Sequence, residues 1–171
     1  EYIRDGLDFN YMMDNVEEFL DRIPVRNSIT FICTYNNLSI TSMDKLLSKV
    51  LELRQRYSKT YQRVWFDVPL LRQPAWQQIT LLPESYQIIH EDNIKYMQAN
   101  SGEANGLHIF KDFEIQKMQR NLAYWRENAD ASTQNKKNFY AFFNEHDRRR
   151  LTRFLNTFPE MEEFWEDCKN A

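Results

Sequence analysis

Glycine is scarce in this chain: three residues in 171, at Gly6, Gly102 and Gly106. That excludes a glycine-rich phosphate loop and the GxGxxG dinucleotide fingerprint. Cysteine is scarcer still, with only Cys33 and Cys168. Two isolated thiols cannot ligate an iron–sulfur cluster, which usually takes three or four. They read as free buried cysteines in a reducing, cytoplasmic setting, and a disulfide joining them would need oxidising conditions. The histidines His90, His108 and His146 show no HxH, HExxH or CxxC spacing, so no metal site is legible. No GxSxG nucleophile motif is present. No apolar run approaches the roughly 18 residues that cross a membrane, and no signal peptide precedes the first helix. Net charge is -3 with the two signs interspersed, so the basic face expected of a nucleic-acid binder is missing.

Hydrophobic residues make up 42% and aromatic residues 15% of the chain, enough for a packed core. Asp8 is a good N-cap, and Met12, Val16, Phe19, Leu20 and Ile23 follow at helical spacing until Pro24. The pattern predicts a helix over Phe9–Ile23. The apolar run Ile29–Tyr35 predicts a buried strand. Thr41 with Asp44 reads as a variant capping box, opening a helix whose face carries Met43, Leu46, Leu47, Val50, Leu51 and Tyr57. Arg63–Val68, closed by Pro69, predicts a second strand. Two strands joined by such a helix should be parallel, with a right-handed crossover. Gln78–Leu82 predicts a third short strand.

After Pro83 the pattern is helical only. Helices are expected over Ser85–Ala99, Phe110–Asn128 and Asn138–Asn156, with a short one carrying Met161, Phe164, Trp165 and Cys168 inward. Phe139, Phe142, Phe143, Leu151, Phe154 and Leu155 are expected inward on the third. Asn100–His108 reads as a loop, and Asp130–Lys136 as a mobile polar linker. The fold class is therefore α/β: a partial parallel βαβ sheet over 1-84, then an α-helical extension over 85-171.

Three stretches could carry chemistry. Thr34-Tyr35-Asn36-Asn37-Leu38-Ser39 sits at a strand end, where parallel α/β folds bind ligands, and asparagine both donates and accepts. Ordinary turn chemistry accounts for the same residues. In the next strand end, Arg72 could hold a carboxylate or phosphate, and Leu70 or Trp76 could cover a flat ring; a Pro-punctuated connection with a packed Trp explains it equally. Asn144–Arg150 places His146 among carboxylates and arginines. Mid-helix, however, Glu145, His146 and Asp147 point in different directions, which suits a solvated face better than a catalytic cluster. The acids of the last helix suit its dipole.

Several blocks resemble one known family. The opening Glu1–Phe9, with Met12 to Phe19 behind it, is similar to the segment after the fourth strand of a radical S-adenosylmethionine (SAM) partial TIM-like barrel. Thr34 to Asn37 resembles the end of the fifth strand. Trp65–Pro74, Phe110–Ile115 and Asn144–Arg149 running to Phe154–Met161 resemble the twitch-type radical SAM proteins, for which no substrate is assigned. The resemblance implies a [4Fe-4S] cluster bound through CxxxCxxC, which reduces SAM to a 5′-deoxyadenosyl radical. CxxxCxxC is absent here, as are four of the six expected barrel strands. The chain then reads as a C-terminal portion that is inactive alone, with no catalytic residue and no cofactor of its own. The resemblance places Thr34, Asn36 and Asn37 beside SAM, Leu70 and Leu71 near its adenine, and Arg4 in the turn after strand four. The other reading is a free-standing interaction module, a homo-oligomer that covers its unpaired sheet edge by self-association.

Overall fold

The structure, a computed structural model, describes residues 2–102 and 106–171. Glu1, and residues 103–105 of the expected loop, lie outside the described residues. The chain is α/β and mostly helical, with one two-stranded parallel sheet.

In the first half the expected helices and parallel strand pair form, but the first strand spans only Ile29–Ile32 and alternates between half-buried and exposed residues instead of being buried as expected, because one of its faces is not packed by the core. Asp8 caps α1 (Phe9–Arg22), its carboxylate accepting the Tyr11 N–H at 2.9 Å. Strand β1 (Ile29–Ile32) pairs in parallel with β2 (Val64–Asp67), with Ile29 opposite Val64 and Ile32 opposite Asp67. The pairing reaches past the strands to a bridge between Tyr35 and Leu70. Between them runs α2 (Met43–Tyr57), which buries Met43, Leu47, Val50, Leu51 and Leu53. Its start differs from expectation. Ile40–Ser42 forms a 3-10 turn that leads into the helix, and no side chain caps it. Thr41 and Asp44 do not form the capping box, because the extra turn moves the N-cap to Ser42.

The predicted strand over Gln78–Leu82 is instead a 3-10 turn, Ile79–Leu81. Its apolar residues are buried all round rather than alternately, and a run too short for a helix cannot be told from a buried strand by pattern alone. Helix α3 (Gln87–Ala99) packs on α4 (Asp112–Glu127), which buries the expected stripe of Ile115, Met118, Leu122 and Trp125. The segment after α4 is tied down rather than mobile. The Asp130 N–H donates to the Thr80 carbonyl at 2.8 Å, and Ser132 caps α5 (Thr133–Arg150), taking over half of the expected linker.

The predicted helix over Asn138–Asn156 is broken. Leu151 has φ 55°, in the left-handed region that ends α5, and α6 (Phe154–Thr157) follows as a separate turn. Asp147 holds the break: its carboxylate accepts from the Thr152 hydroxyl at 2.7 Å and the Phe154 N–H at 2.6 Å. The change of axis carries Leu151 out to 94% exposure, and Phe142, inside α5, packs on Trp76 while remaining half exposed, so neither is buried in the core as expected. Helix α7 (Glu162–Asn170) buries Phe164, Trp165 and Cys168 as predicted. The buried apolar residues of both halves form one cluster, from Leu20 to Cys168. Among the described residues no helix is long and apolar enough to cross a membrane.

Candidate functional site

The two strands are unequal at their edges. Ile29, Cys33 and Tyr35 donate their N–H groups to the Arg63, Asp67 and Pro69 carbonyls at 2.8, 2.9 and 2.7 Å. Odd-numbered residues of β1 therefore turn their backbone toward β2, and even-numbered Thr30, Ile32 and Thr34 turn theirs away. By the same alternation Val64, Phe66 and Val68 present the outer edge of β2. Side chains cover that edge at Val64 and Val68. The Val64 carbonyl accepts from Arg54 Nε at 3.0 Å and Gln62 Nε2 at 2.6 Å, and the Val68 carbonyl from Asn121 Nδ2 at 3.0 Å. On the outer edge of β1 the Thr34 carbonyl accepts from Asn36 Nδ2 at 3.0 Å, but among the described residues Thr30 and Ile32 have no such cover; Thr30 is exposed and Ile32 is 65% exposed.

The sheet faces are also unequal. Val64, Phe66 and Val68 pack into the core under α2, whereas Thr30, Ile32, Trp65 and Asp67 share the opposite face. Helix α4 flanks that face: Lys117 donates to the Asp67 carboxylate, and Phe113 lies 6.4 Å from the Trp65 ring. Farther along, at the carboxyl ends of the strands, the Arg72 guanidinium sits 4.2 Å over the Tyr124 ring. The result is an apolar floor rimmed by a carboxylate, an ammonium and a guanidinium at the strand ends, the location where parallel α/β folds take ligands. The rim can orient a charged ligand by charge-assisted hydrogen bonds.

The structure brings most of the sequence-predicted residues to that end. Thr34 is exposed on the open edge of β1. Asn36 builds the turn: Nδ2 donates to the Thr34 carbonyl at 3.0 Å and Oδ1 accepts the Leu38 N–H at 2.9 Å. Asn37 is fully buried, and its Nδ2 donates to the Trp76 carbonyl at 3.0 Å. Its Oδ1 is buried with no partner. Leu70 pairs with Tyr35, and the Leu71 N–H donates to the Tyr35 carbonyl at 2.9 Å. Arg4 is exposed in the segment before α1 and does not join this group. Trp76 packs on Phe142 at 4.5 Å. In α5, Arg148 and Arg149 bind Glu145 and hold its carboxyl down to about 2. His146 lies against the Tyr2 ring at 4.6 Å; both ring nitrogens are buried without a hydrogen-bond partner, and Nδ1 lies 3.8 Å from the Asp147 carboxylate.

A groove of about 820 Å³ opens beside the same strand end, on the helical side of the sheet. Cys33, Asn36, Ser42 and Lys45 line it, together with Tyr2 and Phe158, whose rings pack edge-on at 5.4 Å. Burial pushes the Cys33 thiol up, and the Cys168 thiol up to about 12, so neither is a thiolate near neutrality. Both cysteines are free.

Sequence reasoning missed two polar clusters that set the geometry. Arg54 and Glu114 are both fully buried and paired at 2.5 Å. Arg54 also reaches the Ile109 carbonyl at 2.7 Å, and Glu114 accepts the Lys111 N–H at 2.9 Å at the start of α4. His90 is fully buried between Tyr35 and α4. The signal for the first was present, an Arg on the apolar face of a helical pattern, but its partner is sixty residues away. No family model matches the chain, and the searches of curated proteins and of solved structures returned no match.

Proposed function

We propose that the chain is the C-terminal part of a radical SAM protein, whose strand ends at Thr34, Asn36, Asn37, Leu70 and Leu71 form one edge of the SAM site. The observation that carries this reading is a parallel sheet packed on one face by α2, flanked by α4 only at β2 on the other, and exposed at Thr30 and Ile32, with the predicted residues gathered at its carboxyl end. Parallel sheets are covered on both faces or curled into a barrel. A fragment of a barrel wall has this one-sided character.

The residues divide by what they can offer SAM. Thr34 is exposed and can offer its hydroxyl, whereas Asn37 is fully buried with its Oδ1 unpartnered and supports the turn from beneath. The amide of Asn36 is spent on its own turn, so its contribution is to shape the edge. Leu70 and Leu71 offer backbone and apolar surface. The iron–sulfur cluster does not fit this chain: two cysteines, one on the strand and one in α7, supply too few thiolates. Cluster chemistry is therefore assigned to no residue here, and the chain alone is expected to be inactive.

A second reading is self-association, favoured by the 65% exposure of Ile32 on the open edge and face. The coding sequence upstream of Glu1 separates the two. The first reading expects a CxxxCxxC in that sequence, and SAM added to the longer polypeptide should shift the amide resonances of Thr34, Asn37, Leu70 and Leu71. A longer polypeptide without the motif, or with unmoved resonances, would remove it.

A further inference from the structure

We infer that residues 2–7 form a strap that gates the groove beside the strand end, latched by Tyr2 at the break between α5 and α6. The groove lies between the carboxyl end of β1, the start of α2 and the turn after α6, where Cys33, Ser42, Lys45 and Phe158 line it. Tyr2 and Ile3 line it from the strap, and Phe9 and Asn10 from the first turn of α1. The strap therefore runs along the groove from α1 to the C-terminal helices and forms part of its wall.

The first ground is the latch. The Tyr2 ring meets Phe143, His146, Phe154 and Phe158 at centroid distances of 5.9, 4.6, 5.9 and 5.4 Å. Its hydroxyl donates to the Asp147 carboxylate at 2.7 Å, a charge-assisted bond. Burial and the Asp147 carboxylate push the Tyr2 pKa up, so the hydroxyl remains a donor. Asp147 is the side chain that ends α5 by binding Thr152 and Phe154. The socket is thus built by α5, α6 and the turn after them, and does not depend on the strap for its shape.

The second ground is how little else holds the strap. Ile3, Arg4, Asp5 and Gly6 are exposed. The Leu7 N–H donates to the Arg4 carbonyl at 3.2 Å, a bond within the strap itself. Among the described residues, its one other polar contact with the body is Asp5 with Arg150, 3.9 Å apart and with the Asp5 side chain 85% exposed. An exposed pair of that length holds little. A Cβ placed on Gly6 would meet no atom within 4 Å, and the φ of 79° there is one that glycine adopts freely. Immediately after the strap, Asp8 fixes the start of α1. One strong anchor, an exposed span and a glycine turn before a capped helix are the parts of a lid, and segments with few buried contacts are the ones that open locally. Release of Tyr2 would move one wall of the groove and leave α1 and the sheet in place. The inference needs only the groove and the strap, so it stands apart from SAM binding.

Thiol labelling tests it, because the two cysteines report different places. Cys33 stands half-buried in the groove, and Cys168 is buried in α7, outside it. At fixed pH the aromatic disulfide DTNB should modify Cys33 about 10-fold faster or more in Tyr2→Ala than in the native chain, while Cys168 keeps its native rate. Tyr2→Phe keeps the ring in the socket and loses only the hydroxyl, so its Cys33 rate should fall between the two; it also serves as the test if Tyr2→Ala does not fold. Acceleration in Tyr2→Ala alone would keep the strap and assign the latch to the ring. Equal Cys33 rates in all three chains would overturn the inference, because the groove would then be as open with the latch as without it. Acceleration of both cysteines together would overturn it too, since Tyr2 would then support the whole fold rather than a local closure. None of these readouts involves SAM, so their failure would leave the strand-end reading where it stands.

Discussion

The Tyr35 hydroxyl lies 2.6 Å from Nδ1 of the fully buried His90, and Nε2 of the same ring lies 2.9 Å from the Met118 carbonyl. A carbonyl only accepts, so Nε2 carries the proton and Nδ1 accepts from Tyr35. One neutral imidazole thus joins the end of β1, α3 and α4. Burial lowers its pKa below the ordinary value near 6.5. Below that value the unfolded chain takes a proton that the folded chain resists, so acid favours unfolding. The contribution of His90 is whole above about pH 6.5 and is lost as pH falls through the lowered folded value. His90→Gln can keep both hydrogen bonds without titrating. Urea midpoints measured from neutral to mildly acidic pH should fall more steeply for the native chain than for His90→Gln; parallel curves would count against this linkage.

Among the described residues Glu114 is the only carboxylate that pairs with Arg54, and both are fully buried. Glu114→Gln leaves a buried guanidinium without its countercharge and should cost about 3–5 kcal/mol. The double change Arg54→Met with Glu114→Leu removes the ion pair together and should recover a large part of that loss. Arg54 also satisfies the Val64 and Ile109 carbonyls, so recovery should be incomplete. Chemical denaturation of the three variants checks the order.

Leu151 combines φ 55° with 94% exposure. Its side chain contributes almost no packing, and its backbone sits where a Cβ is unfavourable by about 1–2 kcal/mol. Glycine relieves that strain and gives back part of the gain through a more flexible unfolded chain. Leu151→Gly should therefore stabilise by about 0.5–1 kcal/mol, raising Tm by roughly 1–4 °C in a chain of this size. A fall in Tm would show that the leucine makes contacts the fold does not record.

The sequence disclosed what depends on periodicity. The stripe of α4, the face of α2 and the parallel pairing of β1 with β2 follow from apolar spacing and from the length of the crossover. What it hid depends on distant partners. Thr41 and Asp44 carry the letters of a capping box, yet the preceding turn decides where the helix starts. Leu151 and Phe142 fit the helical stripe, but Asp147 ends the helix by binding Thr152 and Phe154, and the axis turns. Gln78–Leu82 is apolar enough for a strand, and tertiary packing folds it as a 3-10 turn. At the strand end, the residue types were legible while their use was not: Asn36 and Asn37 promise a ligand site and a turn equally, until Trp76 and Leu38 are seen to hold them.

That double use separates the residues of the candidate site by experiment. Asn37 is fully buried and donates to the Trp76 carbonyl, so Asn37→Ala removes that donor and leaves the carbonyl to find another partner. A loss of about 1–3 kcal/mol is expected whatever the site binds. Asn37→Asp keeps the size but places a charge where Oδ1 already lacks a partner, and should cost more. Thr34 is exposed, and Thr34→Val should change stability by less than about 0.5 kcal/mol. If the strand end edges a SAM site, Thr34→Val in the longer polypeptide should weaken SAM binding at unchanged stability. Urea midpoints and SAM titration read the two effects separately. A Thr34→Val variant with native SAM affinity would take the hydroxyl out of the site, while the stability loss of Asn37→Ala would stand as turn structure alone.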